Sequence, residues 1–190
     1  MRVVFMGTPD FAVATLEDII NAGHIVEAVV TQPDKPKGRG GAVAMSPVKE
    51  TALEHGIEVL QPVKVKNDNE FYERMKQIDP DVIVVVAFGQ ILPDSILELP
   101  KYGCINVHAS LLPAYRGAAP IQWAVIDGLE ETGVTTMQMD HGLDTGDIIM
   151  QSRIRLDAKE TGGSLFDRLS SEGGRLLVKT LAAVENGTAT

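Results

Sequence analysis

Apolar runs bounded by turn residues alternate along this chain with segments of helical spacing. Arg2-Val-Val-Phe-Met6 predicts a first strand, and Thr8-Pro9-Asp10 opens a helix over residues 10–22 that Gly23 closes. Thr8 is suited to cap that helix and Pro9 to occupy its first turn. Residues 25–31 predict a second strand. A helix over 47–55 has Ser46 as its cap, Pro47 at its first position and Gly56 as its stop. Residues 57–60 form a short strand and 69–78 a charged helix. The segment Asp81-Val-Ile-Val-Val-Val-Ala87 is the most apolar of all. It does not alternate, which marks a strand buried on both faces near the middle of a parallel sheet. Another strand covers Gly103 to Ser110, and a helix spans 118–127. Segments 132–140 and 147–156 suit an antiparallel hairpin, and a last helix runs over 161–185.

Strands separated by helical crossovers predict an α/β fold. Its sheet is doubly wound, mostly parallel and Rossmann-like, with helices on both faces and the hairpin near the C-terminal end. Ligands of such sheets sit beyond the carboxyl ends of the strands. The places to inspect are therefore Gly7-Thr8-Pro9, Thr31 onward, Ala87-Phe88-Gly89, Ala109 onward and Asp140 onward. The first loop lacks the Gly-x-Gly-x-x-Gly series of dinucleotide sites, and no Gly-Lys-Ser/Thr loop is present. Nicotinamide and ATP chemistry thereby lose their main support.

A length of 190 residues suits one domain. With 44% hydrophobic and 23% charged residues, the composition is that of an ordinary soluble protein. No apolar run is long enough to cross a bilayer, and the first strand turns at once into Gly-Thr-Pro-Asp, unlike a signal peptide. The expectation is a cytoplasmic protein without membrane association. Cys104 is the only cysteine, which excludes an internal disulfide framework and a cysteine-rich zinc site. A net charge of −9 argues against a broadly basic nucleic-acid binder. A local basic patch stands out all the same: residues 35–49 hold Lys35, Lys37, Arg39 and Lys49 and no acidic residue.

The chemistry concentrates in two places. In Asn106-Val-His-Ala-Ser-Leu-Leu-Pro113, side chains at i and i+2 of a strand share a face, so Asn106 and His108 are neighbours. An amide donor beside an imidazole is what an attack on a carbonyl needs, one holding the oxyanion and the other polarising it or moving a proton. The second place is Asp140-His-Gly-Leu-Asp144-Thr-Gly-Asp147, where Gly142 and Gly146 suggest a sharp bend with positive φ. A carboxylate from it beside His108 would orient the imidazole. A metal site of Asp140, His141, Asp144 and Asp147 fits poorly, because the spacing matches neither a calcium loop nor a zinc helix. No metal is expected.

Residues 106–149 resemble the central signature of the formyltetrahydrofolate-dependent formyltransferases, and most closely the methionyl-tRNA branch. Met6 to Ile20, Pro33-Asp-Lys-Pro-Lys-Gly-Arg-Gly40 with Ser46-Pro-Val-Lys49, and Ala87 to Leu97 extend the likeness over essentially the whole chain. The resemblance implies a catalytic trio of Asn106, His108 and Asp144. It implies 10-formyltetrahydrofolate as formyl donor, bound by Phe88, Gly89, Ile91, Leu92, Ser110, Leu111, Leu112, Pro113, Asp140 and Gly142. It implies initiator methionyl-tRNA as acceptor, met by Lys35, Lys37 and Arg39, and so a place in translation initiation. Gly41-Ala-Val43 stands where family members often carry further lysines. Residues 1–190 would be a catalytic domain, expected as a monomer, without the C-terminal tRNA-binding domain of the family. Alternatives are a formyltransferase or hydrolase with a small acceptor such as glycinamide ribonucleotide or a nucleotide sugar, and a non-catalytic folate- or tRNA-binding module. Trp123 and Arg116-Gly-Ala-Ala-Pro120 argue against the ribonucleotide enzyme.

Overall fold

The computed structural model describes residues 1–36, 43–112, 130–141 and 146–189. Among them are nine strands: β1 (Arg2–Gly7), β2 (Ile25–Val30), β3 (Lys35–Pro36), β4 (Val43–Ala44), β5 (Glu58–Leu60), β6 (Val82–Val86), β7 (Cys104–His108), β8 (Glu131–Gln138) and β9 (Ile148–Arg155). The helices among them are α1 (Asp10–Asn21), α2 (Pro47–Glu54), α3 (Asn69–Ile78), the single turn α4 (Asp94–Leu97) and α5 (Gly162–Asn186). The helix expected over 118–127 lies outside the described residues.

Seven strands form one sheet in the order β5-β2-β1-β6-β7-β8-β9. The first five run parallel, β8 runs antiparallel to β7, and β9 returns antiparallel to β8. β6 lies at the centre with all five residues buried, as its unbroken β-branched run requires. One face of the sheet packs Val3, Phe5, Val84, Ile105, Val107 and Val134 against α1 and α5. The other packs Val4, Met6, Ile83, Val85 and Cys104 against α3 and α4. Helices therefore cover both faces, and the hairpin β8–β9 closes one edge.

Helix ends follow the local chemistry in most cases. The Ser46 hydroxyl accepts from Lys49 N–H at 3.1 Å and Pro47 starts α2. Thr161 and Ser164 form a reciprocal capping box at α5. Thr8 departs from its expected role. α1 begins after Pro9 with no side-chain cap, and the Thr8 hydroxyl instead donates to the Phe88 carbonyl at 3.1 Å. The Thr8 hydroxyl oxygen also accepts from Gln32 N–H at 3.3 Å, so Thr8 joins three strand ends rather than starting a helix.

A second departure concerns Asp140. The antiparallel register pairs Asn106 with Met137 and His108 with Thr135, so β8 leaves the sheet at the opposite end from His108. Met139 N–H donates to the Cys104 carbonyl at 2.9 Å, which puts Asp140 beside the start of β7. Asp140 therefore does not share the carboxyl edge with the ends of β1, β2, β6 and β7. Strand direction decided this, and local sequence does not carry it.

Candidate active site

The site begins where β6 and β7 part. Val85 pairs with Asn106, yet β6 stops at Val86 while β7 continues to His108. Ala87 adopts φ +50 and Gly89 φ +93, so the chain peels away beside His108. Gly89 is favoured by its φ of +93, while a Cβ there would meet only the movable Gln32 amide. Gln90 holds the bend from outside: its amide nitrogen donates to Gln32 Oε1 at 2.9 Å and its oxygen accepts from Val65 N–H at 2.8 Å.

Cys104, Asn106 and His108 alternate onto one face of β7 while Ile105 and Val107 pack on the other. Asn106 is half-buried and His108 is buried. The Ser110 hydroxyl, fully buried, lies 2.8 Å from His108 Nδ1. A hydroxyl donating to Nδ1 leaves the ring proton on Nε2 as a donor of its own. Burial pushes the Cys104 thiol up to about 12, and the thiol donates to the Ile96 carbonyl. It stays neutral and packs as core.

The apolar residues expected around the donor divide into two groups. Phe88 and Leu92 are 2% and 4% exposed and serve the core beside Cys104, and Leu112 is buried too. Ile91 is 79% exposed and Leu111 half-buried, so these offer surface to a partner molecule. Met139 packs against the Cys104 cluster from the far end of β7. Asp140 is exposed there, and His141 pairs with Asp94 at the start of α4. Asp144, Gly142 and Pro113 lie outside the described residues.

Gly146 is required for a reason other than the one expected. It has no positive φ, but a Cβ would fall 1.5 Å from the Gln138 carbonyl oxygen. Close backbone approach excludes a side chain. Among the described residues, no group of three or more His, Cys, Asp or Glu side chains could hold a metal ion.

The basic segment starts from a fastened base. Thr31 and Ser46 hydroxyls meet at 2.7 Å, and Lys35 and Pro36 pair with Ala44 and Val43 as a short antiparallel ladder. Lys35 is exposed on it, while Lys37 and Arg39 lie outside the described residues. Lys49 departs from the patch: its ammonium is 2.8 Å from Asp34. Hydrogen bonds from Lys49 and Gln61 hold the Asp34 carboxyl below the usual range. That positive charge is therefore already matched inside the protein. A cavity of about 560 Å³ lies at the far edge of the sheet, between β5 and α3, lined by residues that include Leu60, Phe71 and Arg74.

Sequence reasoning located the pair on β7 through its two-residue period. It did not find Ser110 as the partner of His108, because Ser110 lies past the strand end, where that period no longer fixes direction. Chemically, the face of β7 offers an amide and an imidazole held by a buried hydroxyl. These suit the stabilisation of negative charge on a carbonyl oxygen.

No described helix is long and apolar enough to cross a membrane. A family profile described as Formyl transferase matches residues 1–181. The chain is 68% identical over 190 residues to the methionyl-tRNA formyltransferase of Lachnospira eligens, covering 100% of this chain and 60% of that protein. It is 66% identical over 189 residues to the methionyl-tRNA formyltransferase of Agathobacter rectalis, covering 100% and 61%. The chain thus spans about three fifths of the length of these curated relatives. In fold it is similar to the crystal structure of phosphoribosylglycinamide formyltransferase from Bacillus halodurans, with TM-score 0.78, 24% identity and coverage of 95% and 93%. The chain belongs to the formyl transferase family.

Proposed function

We propose that this protein transfers a formyl group from 10-formyltetrahydrofolate to the α-amine of initiator methionyl-tRNA. The observation that carries the reading is the placement of Asn106 and His108 on one face of β7 where β6 turns away. The names of relatives at 68% and 66% identity support the acceptor. Residues 1–190 are the catalytic unit in this proposal.

The residues present suit a folate as the donor substrate. The half-buried Met139 lies at one end of β7 and the polar pair toward the other, a span of about 13 Å at the usual strand rise. Ile91 and Leu111 add open apolar surface for a flat heterocycle. Asn106 Nδ2 and His108 Nε2 donate to the formyl oxygen as the amine attacks and negative charge develops. Asp144 takes the amine proton, directly or through water, and that proton passes to the folate nitrogen, which leaves as the neutral amine. Lys35, Lys37 and Arg39 meet the phosphates of the acceptor end, while Lys49 serves the protein by pairing with Asp34. The reaction takes place in the cytoplasm and needs no metal.

Single-turnover assays with charged initiator methionyl-tRNA, and with glycinamide ribonucleotide in parallel, test the substrate. Formyl-methionyl-tRNA is the expected product. Transfer to the ribonucleotide alone would overturn the acceptor while keeping the site.

A further inference from the structure

The antiparallel register places three polar residues in one row across three strands. His108 of β7 pairs with Thr135 of β8, and Thr135 pairs with Gln151 of β9. Thr135 is fully buried, and its hydroxyl is saturated. It donates to the Ser110 carbonyl at 2.7 Å and accepts from Leu112 N–H at 3.1 Å and from Gln151 Nε2 at 3.1 Å. Gln151 Nε2 also donates to the Leu112 carbonyl at 2.9 Å. Two side chains of the hairpin thereby fasten both ends of the Ser110–Leu112 turn, and Ser110 in turn holds His108 Nδ1.

We propose that Thr135 and Gln151 are positioning residues for His108: they set the turn that carries Ser110, and through Ser110 the direction of the imidazole. The physical reason lies in the hydrogen bonds that tie this turn to the hairpin where β7 ends. β7 ends at His108, and beyond it the backbone groups of 110 and 112 lose their place in the sheet ladder. A buried hydroxyl that accepts and donates at once replaces that ladder. Gln151 lies on the outer strand with its side chain exposed, so it acts as the outer brace and Thr135 as the node. Misplacement of a catalytic group by about 1 Å can cost about 10²-fold in rate.

The inference rests on the proposed formyl transfer for its kinetic arm only. Thr135→Val keeps the shape and removes the hydroxyl, Thr135→Ser restores the hydroxyl, and Gln151→Leu removes the brace at an exposed position. Thr135→Val is expected to lower kcat by about 10²-fold with a much smaller change in KM for the donor. Thr135→Ser should recover most of the rate, and Gln151→Leu should show a smaller loss. In a His108→Ala background, Thr135→Val should add little, since the residue acts through the imidazole. An undiminished effect in that background, or failure of the serine variant to rescue, would overturn the proposal.

The second arm needs no turnover. The imidazole nitrogen resonances of His108 should move in Thr135→Val and in Gln151→Leu and return in Thr135→Ser. Unchanged resonances in both would overturn the proposal. A wild-type protein that makes no formyl-methionyl-tRNA would refute the substrate reading instead, and the resonances would still decide the positioning.

Discussion

β6 and β7 are parallel neighbours in the same sheet, but they are built for different ends. β6 places five β-branched residues in the core, all buried on both faces. β7 keeps that pattern only on the α1 and α5 side, through Ile105 and Val107. Its other face runs from a neutral buried thiol at Cys104 through the half-buried Asn106 to His108. A strand that serves only the sheet has no use for an amide and an imidazole, which lose solvation on burial. Their presence on one face, beside a strand that turns away at a positive φ, separates chemistry from stability within five residues.

The contrast can be broken by substitution on each side. His108→Ala should reduce single-turnover formyl transfer by about 10²–10⁴-fold, with thermal unfolding little changed. A variant that unfolds instead would make the residue structural. On β6, Ile83→Ala removes a fully buried side chain and should cost about 2–5 kcal/mol of stability. Denaturant titration measures that loss, and the rate per folded molecule should persist. A loss of rate without a loss of stability would merge the two strands.

Cys104 sharpens the comparison through pH. Its folded-state pKa is raised from 9.0 to about 12 by burial. The stability contributed by the neutral thiol is therefore fully present below pH 9 and is lost as pH rises toward 12. Over that window the wild type should lose up to about 1.4 kcal/mol per pH unit more than Cys104→Ala. Parallel slopes in urea unfolding would show that the thiol is exposed. The smallest effect belongs to the apolar face of β7: Ile105→Val should cost about 0.5–1.5 kcal/mol and leave transfer intact.

The polar face was legible because side chains on a strand alternate, so a two-residue spacing fixes their direction. The strands, the hairpin and the helix cap at Ser46 followed from equally local rules. What escaped involves residues brought together by register. Thr8 spends its hydroxyl on Phe88, eighty positions away, because the ends of β1 and β6 lie side by side. Asp140 emerges at the far end of β7 because β8 reverses direction. The short pairing of Lys35–Pro36 with Val43–Ala44, and the single turn of α4, are too brief for periodicity to mark. Ser110, from the turn past β7, meets Thr135 of β8 and through it Gln151 of β9, and nothing in their own neighbourhoods announces it.

Asn106 gives the most direct measurement, since an amide has no acid–base role to confuse the result. Single-turnover transfer by Asn106→Ala, at saturating donor and acceptor, should fall by about 10²–10³-fold while the protein melts as the wild type does. A rate near that of the wild type would contradict the assignment of this face of β7 to formyl transfer.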